Sequence, residues 1–216
     1  MTPMKLIFGL VAGLALSACA GAPVETTRNV PGTASADQLA SAPVPSSFNI
    51  VSVLVDVPRT LEVSERNRFY PGGDIVWRED PLGDRHAQVQ RIVENAMVQG
   101  VRQLTPGTVP AELYIEMTRF HALTEKARYT VGGVHSIQFM MSLRDPQTGE
   151  LFGEPKFVKA DFDALGGQAA VRAEQAGNTQ KVRITNHLIG VINAEMTKPG
   201  GYVAENLGFF GALNQL

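Results

Sequence analysis

The chain has a single cysteine among its 216 residues, Cys19, which excludes an intramolecular disulfide. A domain outside the cytoplasm would therefore have to fold on its hydrophobic core alone. Charge of one sign is also missing: the formal net charge is −2, far from the basic balance of a nucleic-acid-binding domain. A membrane-spanning run is missing as well. The uncharged apolar stretch 6–16 has 11 residues, whereas a spanning helix needs about 20. Nucleophile-elbow, zincin, phosphate-loop and dinucleotide fingerprints (GxSxG, HExxH, GxxxxGK[ST], GxGxxG) do not occur. Their absence removes the best-defined routes to hydrolase, metalloprotease, NTPase and dehydrogenase chemistry.

What is present at the start is a targeting segment. Lys5 supplies a positive n-region, residues 6–16 an h-region, and Ser17 and Ala18 the small residues before a cleavage point. Leu16-Ser17-Ala18-Cys19 resembles the lipobox of bacterial lipoproteins. That resemblance implies removal of residues 1–18 and a diacylglyceryl thioether on Cys19, whose thiolate is the nucleophile. It also implies acylation of the new terminal amine, and two or more chains give stable anchoring. Ala20, in place of aspartate, resembles the type sorted to the periplasmic face of the outer membrane. The alternative is a secreted protein cut near Ala18 or Ala20 with a free thiol. Residues 19–47 then comprise the modified cysteine and a tether rich in Ala, Gly, Pro, Ser and Thr, without apolar periodicity.

From residue 48 the pattern changes. Val51, Val53, Val55 and Val57 alternate through a strand that Pro58 ends. A second strand is expected around 74–78, carrying the only tryptophan, Trp77. Val89, Ile92, Val93, Ala96, Met97, Gly100, Val101 and Leu104 form a helical stripe, with Asp84 as N-cap and Pro106-Gly107 as the stop. Three more strands are expected: around 111–117, around 137–143, and over 156–162. Asp145-Pro146-Gln147-Thr148-Gly149 reverses the chain before the third of these. The Gly- and Ala-rich stretch 164–177 reads as a loop. A last helix is expected over 179–197, ended by Pro199-Gly200-Gly201. The order β-β-α-β-β-β-α predicts one α+β domain over 48–197, an antiparallel sheet with two helices packed on one face. Residues 198–216 form a C-terminal tail.

This order of elements, behind a lipobox and a tether, resembles small α+β lipoproteins that serve as auxiliary parts of bacterial envelope assemblies and transporters. Arg119-Phe120-His121-Ala122-Leu123-Thr124-Glu125, Gly132-Gly133 and Thr148-Gly149 resemble motifs of an uncharacterised family of alphaproteobacterial lipoproteins. No functional residue can be carried over from it.

The candidate site residues are few. With the hairpin centred near residue 128, Met117 faces Phe139, Ile115 faces Met141 and Leu113 faces Leu143. That register sets His121 opposite His135, a pair able to hold a weak ligand or metal. A catalytic zinc normally has three protein ligands, and no third is evident, so no cofactor is expected. Asp161 and Asp163 read as carboxylates on one side of a strand end, Glu79-Asp80 as a solvated helix approach, and His86 as exposed. His187 falls beside the apolar stripe of the last helix. In the tail, Leu207, Phe209, Phe210, Leu213 and Leu216 could offer a short apolar segment to a partner's groove. The expectation is a non-enzymatic envelope domain, held to the membrane through Cys19, that binds a protein partner and not nucleic acid. The alternative is an envelope enzyme or small-ligand or metal binder built around His121 and His135.

Overall fold

Strand β1 (Phe48–Asp56) begins where the alternating apolar pattern begins. The computed structural model describes residues 47–204 and residue 207. After β1 come β2 (Ile75–Val76), helix α1 (Arg85–Val101), β3 (Val109–His121), the one-turn helix α2 (Glu125–Arg128) and β4 (Gly133–Arg144). They are followed by β5 (Lys156–Lys159), β6 (Phe162–Ala164), α3 (Gly167–Gln175) and α4 (Gln180–Thr197). Both long helices start as the sequence requires: Asp84 accepts from Ala87 N and Thr179 from Val182 N, each satisfying an orphan amide of the first turn.

The architecture is α+β, with one sheet in the order β1-β3-β4-β5, β2 joining β3 and β6 joining β4. Pairings of β4 with β3, β5 and β6 are antiparallel, whereas β1 and β2 run parallel to β3. The expected sheet was antiparallel throughout. The parallel pairs arise because α1 lies between β1 and β3 and returns the chain to the end where β1 began, as a crossover does.

The core lies between one face of this sheet and helices α1 and α4. Leu113, Ile115, Met117 and Phe120 of β3, and Ile137 and Phe139 of β4, are fully buried there with Val93 and Met97 of α1 and Leu188 and Ile192 of α4. The two helices approach closely at Gly100, where a Cβ would collide with Ile192 Cγ2. Among the described residues no helix is long and apolar enough to cross a membrane.

Three local expectations are corrected. The register of β1 shifts between Ile50 and Ser52, so Val51 leaves the valine face and is 54% exposed while Val55 and Val57 are buried. A bulge inserts one residue and inverts the side-chain phase. The strand expected over 156–162 is two strands, because at Asp161 a carboxylate replaces the backbone as partner: Asp161 Oδ1 accepts from Ile137 N at 2.9 Å. The stretch read as a loop over 164–177 contains α3. Its glycines stand at the ends (Gly166, Gly167, Gly177), leaving an alanine-rich interior with high helix propensity.

Candidate functional site

The central hairpin pairs Met117 with Phe139, Ile115 with Met141 and Leu113 with Leu143, as the apolar pattern requires. Between Met117 and Arg119 the register shifts by one residue. Beyond that bulge His121 pairs with Ser136. His135 shares the core-side parity of Ile137 and Phe139 along β4, so the two imidazoles lie on opposite faces of the sheet. The expected His121–His135 pair is therefore not assembled. Among the described residues no three His, Cys, Asp or Glu side chains gather closely enough to hold a metal ion.

Each histidine has a role of its own. His121 Nε2 lies 2.9 Å from Gly73 O and 3.3 Å from Gly72 O, so this nitrogen donates, and Nδ1 accepts from Arg119 Nη2 at 3.3 Å. The ring thus ties the 71–74 turn to the end of β3. Burial, then the neighbouring Arg119 guanidinium, push its pKa down to about 4. His135 is fully enclosed. Burial, followed by the Arg183 and Arg128 charges and His187, pushes its pKa down to about 3. Both are neutral at neutral pH. His135 begins an aromatic ladder: Phe162 at 4.9 Å, then His187 stacked on Phe162 at 4.0 Å, then Tyr202 edge-on at 5.9 Å. This ladder runs from the sheet across α4 to the first residues of the tail. His86 is half-buried, not exposed, with Nε2 3.1 Å from Leu61 O.

A cleft of about 310 Å³ opens between the residues after β2, helix α2 and the start of α4. Arg78, Glu79, Glu125, Arg128 and Glu174 line it. Arg78 Nε bonds Glu125 Oε2 at 2.6 Å, and its Nη1 is 3.2 Å from Glu65 Oε2. Arg128 pairs with Glu79 at 3.2 Å and with Glu174. Burial, the largest single influence on Glu125, would raise its pKa, but the Arg78 hydrogen bond, a backbone hydrogen bond and the Arg78 and Arg128 charges together hold the carboxyl below its usual range. Both arginines facing the cleft are thus already matched to carboxylates.

Sequence reasoning missed this network. Glu79 and Asp80, expected to be a solvated approach to a helix, are half-buried: Glu79 accepts from Lys181 N at the start of α4, and Asp80 Oδ2 accepts from Trp77 Nε1 at 2.9 Å. Only the Trp77–Asp80 spacing is local. The other partners are 13 to 102 residues apart, and no spacing rule joins them. Asp161 is buried and bonded to Ile137 N, whereas Asp163 is exposed on β6, so the two carboxylates stand in different environments. Cys19 and the tail residues Phe209, Phe210 and Leu213 lie outside the described residues. Leu207 is half-buried and in no helix or strand.

The sheet offers a second surface. Among the described residues β1 pairs only with β3, so its other side is a sheet edge nine residues long. Val51 and Leu54, 54% and 47% exposed, stand on that strand.

Residues 48–212 match the model of a family of unknown function, DUF6778, and the chain belongs to that family. No curated protein matches it. Solved structures with some likeness include a Xanthomonas campestris protein of family model DUF330, at 10% identity and TM-score 0.39, covering 71% of this chain and 84% of that one. A candidate lipoprotein from Caulobacter crescentus matches at 12% identity and TM-score 0.34, covering 70% and 88%. A minor lipoprotein from Acinetobacter baumannii matches at 13% identity and TM-score 0.31, covering 70% and 94%.

Proposed function

We propose that this protein is a lipid-anchored domain of the cell envelope, on the periplasmic face of the outer membrane, that works by holding a protein partner and has no catalysis of its own. The observation that carries this reading is the outer edge of β1, which pairs with no other strand among the described residues. An unpaired strand edge with half-exposed Val51 and Leu54 presents backbone donors and acceptors that an extended segment of another chain can complete. The cleft supports the same reading from the other side, because Arg78 and Arg128 are held by Glu125, Glu79 and Glu174 and would have to break those bonds to engage a small anion. The lipobox-like Leu16-Ser17-Ala18-Cys19 supplies the anchor.

The test is affinity purification from detergent-solubilised membranes, comparing the wild-type chain with Val51→Lys/Leu54→Lys. Charges on an exposed edge block strand addition without touching the core. Loss of a co-purifying protein from a correctly folded double variant is the expected result. Recovery of the same protein in the same amount from both would overturn the edge as the docking element. In parallel, Cys19→Ala should move the chain out of the membrane fraction, and retention after alkaline washing would remove the anchor from the reading.

A further inference from the structure

Residues 65–70, between β1 and β2, are exposed without a break. They are nevertheless held firmly. Thr124 Oγ1 donates to Arg68 O at 2.8 Å, Lys126 N donates to Asn67 Oδ1 at 2.9 Å, and Ser64 Oγ donates to Pro71 O at 2.7 Å. The loop therefore presents its side chains outward from a fixed backbone. Phe69 is 42% and Tyr70 67% exposed, and Lys126 Nζ stands 4.9 Å over the Phe69 ring.

The charges around these rings are uneven. Arg66, Arg68 and Lys126 have no carboxylate partner among the described residues. The adjacent acids are engaged elsewhere: Glu65 by Arg78 and Arg85, and Glu125 by Arg78. A chain of net charge −2 thus gathers three unmatched cations around two exposed aromatic rings. Rings of this kind settle at the level of lipid headgroups. Lys and Arg beside an anionic leaflet are attracted to it, and their effects add.

We infer that the pinned loop carrying Arg66, Arg68, Phe69 and Tyr70, together with Lys126, is a peripheral docking surface for an anionic phospholipid bilayer. The cations meet the headgroup phosphates, and the two rings enter the interface between them. This contact is separate from any lipid on Cys19.

The experiment uses full-length protein carrying Phe69→Trp, mixed with phosphatidylcholine vesicles alone or with added phosphatidylglycerol. Trp77 is fully buried, so it contributes a constant background. The emission of the indole introduced in the loop should shift to the blue only with phosphatidylglycerol, and salt should reverse the shift. Arg66→Gln/Arg68→Gln/Lys126→Gln should weaken the partition on the order of a hundredfold, the sum of three basic contributions, with the Trp77 signal showing the fold intact. Co-sedimentation of the wild-type chain with the same vesicles checks the ranking without the reporter. Flotation of the chain on phosphatidylcholine alone reads the Cys19 anchor separately. A chain that floats there while the loop reporter ignores phosphatidylglycerol overturns the inference and leaves the anchor standing. An equal phosphatidylglycerol-dependent blue shift of the loop indole in the triple variant overturns it, as does a shift produced by polyglutamate but not by vesicles, which would make the ligand an acidic polypeptide.

Discussion

Gly132 and Gly166 pass backbone to backbone: a Cβ on Gly166 would fall within contact distance of both the amide nitrogen and the Cα of Gly132. Gly132 also has φ of +76°, which side chains rarely adopt. The contact joins the turn before β4 to the start of α3. Gly166→Ala should therefore destabilise the domain by about 1–3 kcal/mol, the usual range for overpacking, as read by urea unfolding. An unchanged midpoint would mean that the turn can move aside freely.

Asp161 stands in for a missing backbone acceptor. Asp161→Ala should cost about 1–3 kcal/mol, because it leaves Ile137 N buried and unbonded. Asp161→Asn keeps an acceptor oxygen and should lose less. If the two variants melt together, the hydrogen bond is not what holds the β5–β6 break.

The two histidines predict how stability depends on pH. His121 and His135 have folded pKa values of about 4 and about 3, against about 6.5 in an unfolded chain. Between those values the unfolded chain binds more protons than the folded one, so stability rises with pH. Their contribution is complete above about pH 6.5 and is lost as the pH falls toward 4 and then 3. Urea midpoints measured from about pH 7 down to about pH 4 should fall steadily, and His135→Phe should flatten part of that slope. A slope identical to wild type would place the pH sensitivity elsewhere.

Glu195 is buried, and its Oε2 accepts from the Lys156 ammonium at 2.6 Å. Lys156 Nζ also donates to Gly200 O at 3.1 Å, so this pair fixes the start of the tail. Removing one partner of a buried pair costs about 3–5 kcal/mol. With Lys156 partly exposed, Lys156→Met should cost less, about 1–3 kcal/mol. The double variant Lys156→Met/Glu195→Leu should recover most of that loss in thermal melts. Failure to recover would show that the cost comes from the Gly200 contact and not from the stranded carboxylate.

Much of this fold was legible because it is written in local periodicity. The N-cap Asp84, a last helix starting about Thr179 and the core side of the hairpin around Met117 and Phe139 follow from spacing alone. The errors in register share one physical cause, a single-residue insertion that spacing does not reveal. The bulge at Thr118 placed His121 beside Ser136 instead of His135, and the bulge near Val51 turned an expected core valine outward. Helix α3 was hidden by glycines at its ends, although its alanine interior carried the signal. The cleft was illegible for a different reason. Arg78, Arg128 and their glutamates are brought together by tertiary folding from segments far apart in the chain, and as isolated residues they resemble any solvated charges.

The parallel pairing of β1 with β3 sets the two ends of the domain apart. The segment before Phe48 enters beside Val109, at the start of β3, while the 65–73 loop is bound to His121 at its end. Thirteen residues of strand separate them, about 40 Å at about 3.3 Å per residue. The point where the chain enters β1 and the loop proposed to meet lipid therefore lie at opposite ends of the same central strand. A substitution in that loop can thus change its own contacts without disturbing the start of β1, where Phe48 pairs with Val109.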